Sequence, residues 1–239
     1  ENMIAANVDV IMCLAIDPDA MTSTFETATE AGIGVFSWDS PQDCAKVNYL
    51  IDNETLGYKV AEYAVNWAKG VYGDDAAVQV AVMQGGNEIV HIQRTEGIVK
   101  GLQELAPNFE IVAQVEGSTV TDCMTAAENF MQANPDIKVI CCIGDTLAVA
   151  ANEVLKASGA DPAQVGIFSV DATDEASTAI KNGEFVKMSF GIGTPTFIAN
   201  EVFDYLKEIM DGVYDDQPKD VMRAVEPIDA SNVEEWMNS

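Results

Sequence analysis

Short apolar runs alternate with longer amphipathic stretches along the whole chain. The apolar runs predict strands at 8–15, 34–38, 47–51, 77–83, 110–115, 138–143, 164–170 and 186–190. Helical periodicity predicts helices between them, at 18–31, 54–70, 88–106, 121–134, 146–158, 173–182 and 195–212. Most of these strands are apolar at nearly every position, as in parallel sheets that carry helices on both faces. The pattern therefore predicts the α/β class with right-handed crossovers.

One supersecondary unit occurs twice in the sequence. Residues 8–40 and residues 137–172 each read as an apolar strand, an acidic turn, a helix ending in small residues and glycine, and a second strand. The second strands are nearly identical, GVFSWD and GIFSVD. We interpret this similarity as a domain duplication, so we expect two similar α/β domains with parallel sheets.

The charge of the chain narrows its possible partners. The net charge is −27, from 12 basic and 39 acidic residues, and such a field repels phosphate backbones, so we expect no nucleic-acid partner. The acids are spread over helix faces, which favours a solubilised surface over a site for a cationic ligand. No apolar run reaches the length needed to cross a membrane.

Few residues offer metal, cofactor or catalytic chemistry. The five cysteines show no C-x-x-C spacing, and His91 is the single histidine, so we expect no metal site and no cofactor. There is no G-x-S-x-G elbow that would give His91 a nucleophile to activate. Carboxylates facing one another could hydrolyse a glycosidic bond, but we expect neighbouring donors to keep them ionised. The sequence thus predicts a protein that is not an enzyme.

Acids follow three of the predicted strands. They are Asp39, Asp145 and Asp171, and ligands of open parallel sheets bind outside the carboxyl ends of the strands. If the two sheets face one another, Asp39 lies on one wall of a cleft and the other two acids on the opposite wall. Asp145 and Asp171 also fit plain helix N-caps, and that alternative stays open.

Three further residues join the candidate site. The guanidinium of Arg94 is suited to paired hydroxyls or to a carboxylate, although an ion pair with a glutamate of its own helix is an alternative. Asn53 fits both a helix N-cap and a ligand contact. Trp38 offers a face for the C–H surface of a sugar, but strand alternation places it opposite Asp39 and favours packing beneath a helix.

The order of motifs resembles that of periplasmic sugar-binding proteins of the ribose-binding type, the solute receptors of ABC importers. The matching pieces are ENMIAANVDVIM, the D-P-D-A turn, GVFSWDS, IDNETLG, QRTEG, IGDTLAVA, IFSVDATDEA, IKNGEF and PIDASNVEEW. The resemblance implies two Rossmann-like domains with three hinge crossings and a ligand cleft between them. By this resemblance one lobe comprises residues 1–51 and 193–223, and the other comprises 52–192 and 224–239.

The resemblance also implies ligand-contacting positions. In such relatives, ligand hydroxyls are held at the positions that match Asp39, Ser40, Asn53, Arg94, Gly144 and Asp171. Ribose binders carry an arginine where this chain has Ser40 and an asparagine where it has Gly144, so the ligand need not be ribose. Family members also begin with a strand and a helix that have no counterpart here, and we expect part of the site to lie in that unit.

The expected function is the capture of a small polyhydroxylated ligand, a monosaccharide or polyol, by hinge closure and its delivery to an ABC permease. The resemblance implies a periplasmic or extracellular location, with a lipid anchor left open. The alternative is a ligand-sensing domain of a chemoreceptor, a sensor kinase or a LacI-type regulator, which share this fold.

Overall fold

In a computed structural model that describes all 239 residues, helices and strands alternate along most of the chain. In chain order the elements are α1 (Asn2–Ala5), β1 (Val10–Cys13), α2 (Pro18–Glu30), β2 (Gly34–Trp38), β3 (Val47–Leu50), α3 (Asn53–Tyr72), β4 (Val78–Gln84), α4 (Ile89–Leu105), β5 (Phe109–Glu116), α5 (Val120–Ala133), β6 (Ile137–Cys142), α6 (Asp145–Ser158), β7 (Gly166–Asp171), α7 (Asp174–Lys181), β8 (Val186–Gly191), α8 (Pro195–Met210), β9 (Lys219–Met222), β10 (Glu226–Asp229) and α9 (Val233–Trp236).

The chain divides into two units, each made of several segments. Unit 1 consists of Glu1–Asp52, Glu88–Val90 and Gly193–Ala224, and unit 2 consists of Asn53–Asn87, His91–Ile192 and Val225–Ser239. Each unit is built around one sheet, and both sheets are dominated by parallel pairs, which confirms the predicted α/β class.

Unit 1 contains a four-stranded parallel sheet in the order β1-β2-β3-β9, which we call sheet A. Strand β2 is buried at its first four positions because helices cover both of its faces. Val35 packs in a cluster with Phe25 of α2, whereas Phe36 packs in a cluster with Val202 of α8. Strand β1 forms an edge of this sheet, and its Met12 side chain is 48% exposed.

Unit 2 contains a six-stranded sheet in the order β10-β8-β7-β6-β4-β5, which we call sheet B. All its pairs are parallel except the antiparallel pair of β10 with β8. The central strand β6 is buried at five of its six positions, the last four in an unbroken run. Burial raises the pKa of the Cys141 thiol to about 12, so this cysteine is a packing residue, as its place in an apolar strand predicts.

Helices α3 and α4 of unit 2 cross at glycines. A Cβ on Gly57 would lie 2.0 Å from the carbonyl oxygen of Arg94, and a Cβ on Gly97 would lie 2.1 Å from that of Glu54. The two backbones therefore approach more closely than any side chain would allow. This crossing fixes Arg94 of α4 against the first turn of α3.

The predicted helices and strands between residues 8 and 212 are all present, and the C-terminal elements β9, β10 and α9 were not predicted. Strand β9 reads KDVM and is exposed at three of its four positions, so it lacks the apolar run on which the prediction relied. No helix combines the length and the apolar character that crossing a membrane requires.

Candidate ligand-binding site

Five side chains of the candidate site lie at the carboxyl edge of sheet A. We call this set the sheet-A edge: Trp38, Asp39, Ser40, Tyr49 and Arg223. Asp39 directly follows β2 and has a positive φ of 51°. Its backbone N–H donates to the carbonyl of Tyr49 at 2.9 Å, which continues the pairing of β2 with β3 by one residue. Aspartate is one of the few residues other than glycine that adopts positive φ readily.

Ser40 ties two strand ends together. Its buried hydroxyl oxygen accepts from the backbone N–H of Ala15 at 2.9 Å and its O–H donates to the carbonyl of Trp38 at 3.1 Å. The side chain thus joins the end of β1 to the end of β2. This arrangement gives Ser40 a positioning role next to Asp39.

Sequence analysis did not assign Tyr49 or Arg223 to the site, and position 223 appeared there only as the last residue of a lobe segment. Arg223 directly follows β9, and its Nη2 donates to Oδ1 of Asp39. The Arg223 side chain is only 3% exposed and that of Asp39 is 11% exposed. The available signal was composition, since the chain contains only two arginines, Arg94 and Arg223.

Two aromatic rings flank the guanidinium of Arg223. Its Cζ lies 4.9 Å from the ring centre of Trp38 and 4.7 Å from that of Tyr49. Trp38 and Tyr49 also contact each other edge to face, with ring centres 5.2 Å apart. Trp38 joins the cluster beneath α8 that contains Phe36, so its packing agrees with strand alternation.

The carboxyl edge of sheet B gathers a second polar set, which we call the sheet-B edge: Asn53, Arg94, Gly144, Asp145 and Asp171. Arg94 is buried, and its Nε and Nη2 donate to Oδ1 of Asn53 at 3.2 and 2.6 Å. Its Nη1 donates to the carbonyl of Ile143, just past β6, at 2.6 Å. Arg94 therefore links the first residue of α3 to the carboxyl end of β6.

Asp145 lies in the first turn of α6 and its carboxylate points into unit 2, where it is 1% exposed. Oδ1 accepts from the Ser189 hydroxyl at 2.7 Å. Oδ2 accepts from the backbone N–H and the hydroxyl of Thr173, at 2.7 and 3.1 Å. Asp145 thus fixes the start of α7 and strand β8 relative to α6.

The N-cap alternative for the strand-end acids is wrong in both cases. Gly144 occupies the N-cap of α6 and Thr173 that of α7, where the Thr173 hydroxyl accepts from the N–H of Ala176. Asp171 instead ends β7 itself, with a positive φ of 109°. Its Oδ2 accepts from the backbone N–H of Asp145 at 3.4 Å.

Gly144 leaves room for the Asp171 carboxylate. A Cβ at position 144 would lie 3.1 Å from Oδ2 of Asp171, which is closer than an ordinary contact. The backbone of Gly144 is extended, with φ of −168°, so the position needs glycine for this space and not for its conformation.

The carboxyl group of Asp145 has a raised pKa. Burial raises its pKa from 3.8 to about 7, and the negative charge of Asp171 adds to the rise, although hydrogen bonds from Ser189 and Thr173 oppose it. The expectation that the strand-end acids stay ionised is therefore wrong for Asp145. Its carboxyl group is a mixture of both forms at neutral pH.

The two halves of the duplicated unit end alike. Asp39 in GVFSWD and Asp171 in GIFSVD both follow or close the second strand, and both adopt positive φ. Such backbone outliers occur mainly where the surrounding structure over-determines them, as at ligand sites. An aspartate with positive φ therefore occurs at the carboxyl edge of each sheet.

A cavity of about 610 Å³ in unit 1 lies away from these residues. Its lining includes Asp9, Gly34 and Lys46, which precede or open strands of sheet A. The cavity therefore lies at the amino edge of the sheet. Because ligands of parallel sheets bind at carboxyl edges, we place the candidate site at the polar sets above and not in this cavity.

The sequence matches the family described as the periplasmic binding protein domain over residues 1–212. The chain belongs to this family, which is one of binding proteins. The resemblance drawn from the motifs is thereby confirmed.

Two similar proteins illustrate the family. The ABC transporter periplasmic-binding protein YphF of Escherichia coli is 24% identical over 194 residues, covering 78% of this chain and 58% of that protein. The ribose import binding protein RbsB of Bacillus subtilis is 24% identical over 192 residues, covering 76% and 57%. The chain thus spans less than three fifths of the length of either relative.

Among solved structures, the myo-inositol binding protein of Caulobacter bound to myo-inositol is 24% identical, with a TM-score of 0.80, and the match covers 98% of this chain and 79% of that one. This likeness establishes the fold.

Proposed function

We propose that this protein is a solute-binding protein that captures a small polyhydroxylated ligand, a monosaccharide or a polyol, by hinge closure and delivers it to an ABC permease. It acts in the periplasm or outside the cell. The lobes that close are residues 1–51 with 193–223 and residues 52–192 with 224–239, and the hinges lie near residues 51–52, 192–193 and 223–224.

One observation carries this proposal: each sheet places a buried arginine at its carboxyl edge. Arg94 is bonded to Asn53 in unit 2, and Arg223 is bonded to Asp39 in unit 1. These are the only arginines in a chain of net charge −27. Fixed guanidinium, amide and carboxylate groups provide the donors and acceptors that hydroxyl groups require.

Within the proposed site the residues have two kinds of role. Asp39, Asn53, Arg94 and Asp171 contact ligand hydroxyls, and Trp38 contributes an aromatic edge beside them. Ser40 and Asp145 position the loops, because their side chains already bond to the protein. Gly144 keeps space open beside Asp171.

The proposal is tested by isothermal titration of the 239-residue protein with neutral pentoses, hexoses, furanosides and inositols. Because Asp39, Asn53, Arg94 and Asp171 all lie in this chain, we expect at least one of these compounds to bind with saturable heat, more weakly than in relatives that add contacts from their opening strand and helix. The variant Asp171→Asn keeps the side-chain shape and removes the charge, so it should bind that ligand ~10- to ~100-fold more weakly, the loss of one charge-assisted hydrogen bond. The control Asp174→Asn alters an exposed aspartate nearby and should leave the affinity unchanged.

Two outcomes would count against the proposal. Absence of binding across the whole panel would refute a sugar- or polyol-binding function for this chain. Equal affinities for the unsubstituted protein and Asp171→Asn would remove Asp171 from the site.

A further inference from the structure

Arg223 retains donors that the protein does not use. Its Nη2 is paired with Asp39, but Nε and Nη1 are buried and have no hydrogen-bond partner. Buried polar groups without partners are rare in native proteins, and each one calls for an explanation. Among the buried side-chain atoms of this chain, Arg223 is the only residue with two such atoms.

The surroundings of Arg223 hold it in place without satisfying these donors. The rings of Trp38 and Tyr49 lie within 5 Å of its Cζ, and aromatic faces stabilise a cation but accept no conventional hydrogen bond. The guanidinium is therefore held in orientation, and Nε and Nη1 remain without an acceptor within the protein.

We propose that Arg223 is a ligand-binding and specificity-determining residue, and that its Nε and Nη1 donate to hydroxyl oxygens of a neutral polyol. The inference rests on the proposed function, because it assigns a chemical class to the ligand of that same site. It goes beyond that function by adding a residue at the end of β9 and by excluding sugar acids.

Charge favours a neutral ligand over an anionic one. The Asp39 carboxylate already neutralises the guanidinium, so a second carboxylate would meet a site with no net positive charge and a chain of net charge −27. Hydroxyl groups both donate and accept, so a polyol can accept from Arg223 and donate to Oδ2 of Asp39, the oxygen that Arg223 leaves open. A carboxylate can only accept, and it would repel Asp39.

The first experiment observes Arg223 directly in the unsubstituted protein. With ¹⁵N-labelled arginine, the chain gives two side-chain Nε resonances, from Arg94 and Arg223. The variant Arg223→Lys assigns them, and Arg94→Lys assigns them by elimination should Arg223→Lys fail to fold. We expect the Arg223 resonance to shift in a saturable manner when a neutral polyol that binds is added.

The second experiment measures affinity. Arg223→Lys keeps the positive charge for Asp39 and removes both unused donors, so it should weaken polyol binding at least 10-fold. The matched control Lys219→Gln changes a cation on the same strand that lies over the ring of Tyr205, and it should leave the affinity unchanged. The unsubstituted protein should bind the corresponding uronic acid at least 10-fold more weakly than the neutral sugar.

The outcomes separate the inference from the proposed function. If a neutral polyol binds while the Arg223 resonance stays still, and Arg223→Lys binds equally well, the inference is wrong and the function stands. If a sugar acid binds better than its neutral counterpart, the assigned ligand class is wrong. If no neutral polyol binds at all, both the inference and the proposed function fail.

Discussion

Replacing Asp145 with asparagine tests the electrostatics of unit 2. The folded-state pKa of about 7 lies above the ordinary value of 3.8, so the folded protein binds more protons than the unfolded chain between these values. Stability should therefore rise as the pH falls. Between pH 8 and pH 5 the gain attributable to Asp145 is about 3 kcal/mol, from the linkage relation for one group.

Asparagine reproduces the protonated form of Asp145. Its Oδ1 can accept from Thr173 as Oδ2 does now, and its Nδ2 can donate to the Ser189 hydroxyl. The Asp145→Asn variant should therefore lack this gain of about 3 kcal/mol on acidification. Urea unfolding followed by circular dichroism at pH 5, 6, 7 and 8 gives the free energy of unfolding of both proteins. The gain is the value for the unsubstituted protein minus that for the variant, compared between pH values.

The subtraction removes the titration of the remaining acids, which both proteins share. As a further control, Asp174→Asn removes an exposed aspartate at the start of α7 and should retain the pH dependence of the unsubstituted protein. A difference between the unsubstituted protein and Asp145→Asn that stays constant within about 0.5 kcal/mol over this range would refute the raised pKa.

Two more predictions concern the supports of the site. Gly57→Ala should destabilise the protein by about 3 kcal/mol, because the new Cβ would lie 2.0 Å from the carbonyl oxygen of Arg94. In the control Gly70→Ala, in the same helix, the new Cβ meets nothing within 4 Å, so this variant should stabilise the protein by about 0.5–1 kcal/mol. Thermal unfolding compares the pair, and equal effects would contradict the close crossing of α3 and α4. Asn53→Ala removes two hydrogen bonds from a buried guanidinium and should lower the free energy of unfolding in urea by about 2–3 kcal/mol. The control Glu54→Ala alters an exposed residue and should lower it by less than about 1 kcal/mol. Similar losses for both variants would show that Asn53 does not support Arg94.

Periodicity was sufficient to predict the fold because both faces of each sheet are covered. Strand β2 is apolar on both sides, with Val35 beneath α2 and Phe36 beneath α8, and such a run is read directly from the sequence. Strand β9 is held by pairing with β3 rather than by its own burial. Its sequence therefore carries no pattern that local reasoning detects.

The sequence predicted the strand-end acids of the candidate site but not the side chains that bond to them. Asp39 and Asp171 were found because each directly ends an apolar run. The pairing of Asp39 with Arg223 joins positions 184 residues apart, and no local pattern encodes a contact of that separation. Ser40 stands where the resemblance implied an arginine, and the guanidinium beside Asp39 comes instead from the end of β9. The raised pKa of Asp145 depends on burial, which the acidic turn in the sequence does not reveal.

Tryptophan fluorescence can report on separate parts of this protein, because its three tryptophans lie in different surroundings. Trp38 in unit 1 lies against the guanidinium of Arg223, and Trp236 in unit 2 donates its indole N–H to the carbonyl of Ala172, next to Asp171. Trp67 packs against Phe168 of β7 in unit 2, with ring centres 5.8 Å apart. Emission from variants that keep only Trp38 or only Trp236 can therefore follow each carboxyl edge separately, the variant that keeps only Trp67 serves as the reference, and no dye needs to be attached.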